Sequence, residues 1–575
     1  MSAGGQDSIS GPGFADRWAA RRAARARPVS GFALPPEPRS FGLQARGRQL
    51  VAGHFLFAGS LVEAPETSIW DLPLPDPAFE AALHGAAWLD DLAALGDGPA
   101  RARAQEWSLD WAARFGRGKG PGWTPELTGR RLIRMVSHAG MVLAGAERAR
   151  ADAFFAALGA QTLFLVRRWR TATPGLARFE ALTGLVCAAL ALAGMERHVG
   201  PAAQDLAEEC RRAVDREGGI PTRNPEDLLE VFTLLVWTAE ALGAAGRRVE
   251  PAHRAAIERI APALRALRHA DGGLARFHGG GRGVEGRLDQ ALAASGVRAK
   301  MHKGLAMGFA RLSAGRASVI MDCAAPPAGP AARTAHASTL AFEMTSGRRP
   351  LIVSCGSGLH FGRDWHRAGR ATPSHSTLCV AGYSSSRLGP AGAHGDELCD
   401  RPHSVWSESA TEDAAFCLRA GHDGYVPTHG LTHLRELRLS VDGRHLAGTD
   451  TLGAMSGPDT RRFETILARS GYMGVDFSLH FHIHPDIEAS LDLGGTAVSL
   501  ALRSGEIWIF RTDPGQPIRL APSVYLEKGR LKPRPARQIV LDAHLAEPAR
   551  AISWTLTKAH DTSPAAIADD PLPRI

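Results

Sequence analysis

Between residues 76 and 300 the apolar positions recur every three or four residues. Phe79, Leu83, Ala86, Leu89 and Leu92 form one such stripe, with Trp88 on its flank, and this spacing gives an α-helix one apolar face. Similar amphipathic runs cover 125–147, 151–171, 177–194, 201–215, 226–243 and 251–269. Turn signals separate them, among them Thr173-Pro174-Gly175, Gly194, Gly200-Pro201 and Gly218-Gly219. The pattern predicts seven or eight helices with short connections, a single all-α domain that is either a bundle or a toroid of helical hairpins.

Near residue 315 the period changes. Ala317–Cys323, Thr339–Met344, Pro350–Cys355, His433–Ser440 and Arg462–Ala468 are short and apolar or alternating, which is the signature of strands. Turns such as Val441-Asp442-Gly443-Arg444 and Asp492-Leu493-Gly494-Gly495 punctuate this half. Strands at such spacing predict an antiparallel β-sandwich of about 250 residues. Ahead of both halves, residues 1–75 are rich in Pro, Gly and Arg and carry one apolar stretch, Leu50–Phe57. The expected organisation is an irregular basic arm over 1–75, an all-α domain over 76–312 and a β-sandwich over 313–575.

Composition adds bounds rather than detail. A chain of 575 residues is too long for one ordinary core, and 44% apolar with 22% charged residues is ordinary for a globular protein. The net charge of +8 is concentrated near the start, where Asp16–Arg27 is Arg- and Ala-rich. Such a segment fits a solvated tail or one that touches an anionic surface. Met1–Asp7 shows no apolar core behind a charged start, and no apolar run approaches the roughly 18 residues of a bilayer span. The seven cysteines are odd in number and lack C-x-x-C spacing, which argues against a disulfide framework and a thiolate zinc site. The expected address is cytoplasmic.

Chemistry is densest at Arg370-Ala371-Thr372-Pro373-Ser374-His375-Ser376-Thr377. Arg370 is a permanent cation able to clamp a carboxylate bidentately, and His375 is suited to proton transfer near neutral pH. Together they suggest an acidic substrate. The plainer reading is a loop feeding the strand-like run Ser376–Val380, with His375 hydrogen-bonded at its mouth. Elsewhere, Asn224-Pro225-Glu226-Asp227 is a strong helix start, with Asn as N-cap, Pro at the first position and acids in the first turn.

In architecture and motifs the chain resembles the heparinase II/III family, a polysaccharide-lyase-like group that joins an (α/α) toroid to an antiparallel β-sandwich. The resemblance runs over nearly everything beyond the arm. It rests on Leu83–Leu89, Thr222–Leu229, Ala335–Glu343, Arg370–Thr377 and Phe481–Asp486, in order and at fitting separations. Lyases of this kind cut uronate polymers by β-elimination, which requires neutralising the carboxylate, removing the C5 proton and protonating the leaving oxygen. The resemblance implies Arg370 and Asn224 as carboxylate clamps and His375 and His336 as proton-transfer groups. Arg223, His278 and Trp365 are further candidates for contacting substrate. Family analogy also admits a periplasmic address, and no cofactor is required.

The chain departs from the family where activity is decided. Active relatives carry a catalytic tyrosine in the helical domain, whereas the four tyrosines here, 383, 425, 472 and 525, all lie in the β half. After Arg223-Asn224-Pro225 the chain reads Asp227-Leu228-Leu229, where familiar lyases place a polar pair. His278, in a Gly-rich loop, is a candidate substitute base. A further cluster, His480-Phe481-His482-Ile483-His484, alternates so that on a strand the imidazoles share one face, roughly 7 Å apart. His482 and His484 are either ligands of a structural zinc, as in some relatives, or ordinary strand residues. Two functions stand open: a lyase acting on a uronate-containing polysaccharide, or a catalytically inactive carbohydrate-binding or polysaccharide-assembly protein on the same scaffold. A glycoside hydrolase would need opposed carboxylates, and Asp90 and Asp91 are adjacent instead. The expected partner is an acidic polysaccharide, with no nucleic acid and no transmembrane segment.

Overall fold

The structure, a computed structural model, describes residues 11–39, 41–298, 304–389 and 396–560. The first ten residues, to which the expectation about a leader applies, lie outside the described residues. The chain divides into two compact units. The first comprises Met1–Arg216, Leu229–Ala261 and Asp289–Arg298, and the second Glu217–Leu228, Pro262–Leu288 and Ala299–Ile575.

The first unit is helical for reasons visible in its caps. Asp76 accepts from Phe79 N (2.8 Å), Asp97 from Ala100 N (2.9 Å) and Thr124 from Leu127 N (3.3 Å). Each cap is followed by proline in the first turn, opening helices Pro77–Gly85, Gly98–Phe115 and Pro125–Ser137. Inside lie Trp88, Trp107, Trp111 and Trp123. Among them is a buried cation, Arg131, whose guanidinium stands 3.9 Å over the Trp111 ring and donates to Gln161 Oε1 and His84 O. Arg148–Thr171 is long and apolar enough to cross a membrane by length and composition, and half of its apolar window is buried inside the fold.

The first 75 residues are more ordered than their composition suggests. Helices Phe14–Ala24 and Gln44–Val51 and a hairpin, His54–Phe57 with Ser60–Glu63, are built there. The helix Phe14–Ala24 buries Ala19, Ala20 and Ala23. Small residues give it a contact face that a hydropathy count overlooks.

The second unit carries two eight-stranded sheets. One runs, edge to edge, Val405–Glu412, Ala415–Tyr425, Leu431–Ser440, His445–Gly453, Ala549–His560, Ile507–Thr512, Ala497–Ala501 and Glu488–Asp492. The other runs Arg519–Tyr525, Arg534–Leu545, Val475–Ile483, Arg349–Val353, Phe342–Ser346, Ala317–Asp322 and Phe309–Ala314, with Leu378–Val380 pairing on Val475–Ile483. All pairings within them are antiparallel. Alternate residues of each, such as Leu437 and Leu439 from one and Leu479 and Phe481 from the other, meet in one core that also takes Trp508 and Trp554. The turn at Val441–Arg444 closes a hairpin as its residues predict, Asp442 Oδ1 accepting from Arg444 N (3.0 Å) and Gly443 taking φ 70°.

One expected strand is a helix. Arg462–Ala468 lies within helix Gly457–Arg469, capped by Ser456, whose hydroxyl accepts from Asp459 N. Phe463, Ile466 and Leu467 supply its apolar side, a three-to-four spacing that belongs to a helix.

Candidate active site

The predicted site residues that converge do so within the second unit, around Asp322 at the end of strand Ala317–Asp322. Arg223 sits beside it in a left-handed backbone conformation (φ 48°). Its five N–H groups are all engaged: with Met307 O, Gly308 O, Ala324 O, Ala325 O and Asp322 Oδ1, the last at 2.5 Å. Burial alone would raise the Asp322 carboxyl, but Arg223 and the His278 ring hold it well below the usual carboxylate range. Arg223, expected to contact substrate, has every donor tied within the fold. A planar guanidinium surrounded by carbonyls has no donor left for a ligand.

Asn224 is the N-cap that its sequence predicts. Its Oδ1 accepts from Glu226 N (2.9 Å) and Asp227 N (3.3 Å) at the start of helix Pro225–Ala244. It also abuts the glycine loop after His278, since a Cβ at Gly280 would come within 2.3 Å of Asn224 Oδ1. Only glycine permits that approach.

Three imidazoles follow in a chain. His336 N donates to His278 Nδ1 (3.1 Å), and Gly279 N donates to His336 Nε2 (3.1 Å). Those acceptor roles fix both neutral tautomers. His278 carries its proton on Nε2, 3.4 Å from Asp322 Oδ2, and His336 carries its own on Nδ1. The His278 and His336 ring centroids are 6.2 Å apart, and those of His336 and His375 5.0 Å. His375 Nδ1 meets Ser354 Oγ at 3.1 Å. His336 Nδ1 and His375 Nε2 are buried with no hydrogen-bond partner among the described residues. Burial, reinforced by His482 and His278, pushes His375 down to about 3, and burial with the neighbouring His375 holds His336 well below the ordinary imidazole range. Burial likewise holds His278 below the ordinary imidazole range, against the pull of Asp322.

Arg370 faces main-chain carbonyls. It is buried, and it donates from Nε to Ala335 O (2.8 Å) and from Nη2 to Ala332 O (2.6 Å), while its own carbonyl accepts from Ala337 N. Its neighbours are equally committed. Thr372 Oγ1 donates to Ala337 O and Ser376 Oγ to Val353 O, and Arg435 Nη1 donates to Ser376 O (2.8 Å). The stretch Arg370–Thr377 is therefore a seam between the loop at 332–337 and the sheets, buried except around Pro373, and the guanidinium of Arg370, the expected carboxylate clamp, holds main-chain carbonyls. Trp365, on helix Arg363–Gly369, is the one predicted site residue with an exposed side chain.

His482 and His484 do not suit a metal. On strand Val475–Ile483, His482 Nδ1 meets Ser523 Oγ (2.8 Å) and its Nε2 donates to Pro373 O (2.8 Å), so both ring nitrogens are engaged. His484 lies just beyond the strand, its Nδ1 accepting from Asp486 N and its ring edge-on to Tyr525 (4.9 Å). Among the described residues no group of three His, Cys, Asp or Glu is placed to hold a metal ion. The residues present do not fit the zinc that alternation suggests, because the strand's neighbours satisfy each ring separately.

Several polar groups of this unit escape sequence reasoning. Asp322 is one. Another is the trio Asp450, His433 and Arg435: Arg435 binds Asp450 bidentately (2.7 and 3.1 Å), His433 Nε2 stands 2.7 Å from Asp450 Oδ1, and Trp554 Nε1 donates to Asp450 Oδ2. The only trace in the sequence is charge at inward-facing strand positions, such as Arg435 amid His433–Leu439.

Comparison with known proteins places this fold. Residues 296–555 match the profile described as Heparinase II/III-like, C-terminal. Over 545 residues, 93% of this chain and 91% of the relative, the sequence is 31% identical to FtsZ-localized protein C of Caulobacter vibrioides (strain NA1000 / CB15N). The chain belongs to the heparinase II/III-like family. Solved structures agree on the fold of this family member. A heparinase III structure superposes with TM-score 0.68 at 13% identity, covering 95% of this chain and 89% of that one. The heparan sulfate lyase HepC mutant from Pedobacter heparinus gives 0.58 at 14% identity, over 96% and 90%. The helical part followed by a β-sandwich is the toroid-plus-sandwich arrangement that the motifs imply.

Proposed function

We propose that this family member is a non-catalytic protein that holds acidic polysaccharide, a binding or assembly component on a polysaccharide-lyase scaffold. The observation that carries the reading is the engagement of Arg223, whose five N–H groups are all taken by Asp322 and main-chain carbonyls, beside Arg370, which is buried on the Ala332 and Ala335 carbonyls. β-Elimination from a uronate needs a free cation or amide to neutralise the carboxylate before a base can act. The absence of any tyrosine before residue 383 supports it as well. So does the relative at 31% identity, whose name marks it as FtsZ-localized. Carried to this chain, that name suggests a cytoplasmic protein positioned by an FtsZ assembly. The free state of all seven cysteines suits that address.

The test is a panel of polyuronates and glycosaminoglycans incubated with the full chain and read for the ultraviolet absorbance of an unsaturated uronate. No new absorbance is expected, together with retention of the acidic polymers in a co-sedimentation assay. Absorbance that grows with enzyme concentration would overturn the reading. A fluorescent fusion that ignores FtsZ rings would remove the localisation part alone.

One observation favours the second reading, a working lyase. His336 Nδ1 and His375 Nε2 are buried polar atoms without partners, a cost that folds tolerate most often at functional sites. In that case His336 and His375 would exchange the protons of the elimination, and Asn224 would neutralise the carboxylate.

A further inference from the structure

We propose that Arg276 anchors a subsite for the carboxylate or sulfate of an acidic saccharide, reached when the turn that follows strand Arg519–Tyr525 lifts away. The inference rests on the reading that this protein holds acidic polysaccharide, and it assigns that role to a residue outside the imidazole chain.

Arg276 is buried, and no carboxylate meets its guanidinium among the described residues. Nη2 donates to two main-chain carbonyls, Cys355 O (3.2 Å) and Leu526 O (3.4 Å), while Nη1 has no partner there. The guanidinium lies 4.0 Å over the Tyr525 ring. Gly356 makes room for it, since a Cβ at that position would fall 2.0 Å from Nη2. A buried cation without a matching carboxylate is expensive to keep, and its planar fork matches carboxylate and sulfate oxygens in pairs.

The acids nearby are already taken. Glu343 accepts from the backbone N of Arg276 (3.0 Å) and of Ser354, and it faces His269 at 3.5 Å. Glu527 lies between Arg530 (3.3 Å) and Arg534 (3.6 Å), and Asp486 between Arg534 (2.7 Å) and Arg503 (3.2 Å). The cover is buried at Leu526 and exposed from Lys528. Leu526 N donates to Cys355 O (2.7 Å), and Lys528 pairs with Glu226 (2.9 Å), while Lys528, Gly529 and Arg530 are exposed. Two exposed cations on the turn would meet the same anion as it enters.

Isothermal titration of the full chain with an alginate tetramer, a heparin-derived tetrasaccharide and neutral maltotetraose tests this. Arg276→Lys keeps the charge but loses the fork. It is expected to weaken the preferred acidic ligand by about tenfold without changing any response to maltotetraose. The stronger acidic arm tells carboxylate from sulfate. Hydrogen exchange on the wild type provides the arm that needs no variant: amides of 526–531 should change their exchange at saturating acidic ligand. Unchanged exchange, or a folded Arg276→Lys that binds as the wild type does, overturns the subsite and leaves polysaccharide binding standing. A wild type that binds neither acidic ligand removes both.

Discussion

At the scale of single residues the decisive quantity is burial. His375 has its pKa pushed down to about 3 from an ordinary 6.5, with burial as the first cause. A histidine whose folded pKa is depressed gives stability that is present above the unfolded value and lost as pH falls. The unfolded chain binds a proton below about 6.5 that the folded one refuses until about 3. Each such histidine steepens the loss by about 1.4 kcal/mol per pH unit within that window. Urea midpoints should therefore fall between pH 7 and pH 5, and His375→Gln should flatten that fall by close to one proton. A slope unchanged by the substitution would mean that His375 titrates normally. Arg370→Ala would leave the Ala332 and Ala335 carbonyls buried without donors. It should cost about 3 kcal/mol of stability, read as a lower denaturation midpoint, in contrast to the unaltered stability expected of a surface substrate clamp.

At the scale of elements, Asn224 is where sequence and structure agree most closely. Asn224→Ala should cost about 1 kcal/mol through the helix start, and Asn224→Asp should restore most of it, because either side chain caps. A loss on both substitutions alike would point to a role beyond the cap. The helices were legible because their periods are long and their caps explicit, as at Asp76, Thr124 and Asn224. Strands were legible where alternation was clean, as in His433–Ser440. Arg462–Ala468 was not, because seven residues seen without Ser456 and Pro458 hide the period that Phe463, Ile466 and Leu467 reveal. The arm hid its order for a different reason: alanines pack well but carry little hydropathy. Asp91 offers a separate check there. Burial raises its carboxyl to about 6, against a hydrogen bond from Leu43 N that favours the charge. The folded state therefore holds this proton more tightly than the unfolded one, and this contribution to stability weakens as pH rises from about 4 to 6. Asp91→Asn should remove that part of the pH dependence in thermal melts.

At the scale of the molecule, motifs placed the family and picked out residues that the fold brings together, but not the partners each one takes. Arg370, His375, His336, His278 and Asn224 do lie in one unit, and the rings of His278, His336 and His375 do stand one beside the next. Whether a guanidinium faces outward or inward depends on carbonyls 35 to 102 positions away, such as Ala335 for Arg370 and Ala325 for Arg223. No local pattern encodes those partners. The same holds for His482, whose Ser523 and Pro373 partners come from distant segments. The measurement that bears most directly on the whole is the chain length of an acidic polymer before and after prolonged contact with the protein, followed by light scattering on the bound fraction. A polymer that binds and keeps its full length is the expected result. A bound polymer that shortens, with new reducing ends in step, would contradict it and restore the lyase.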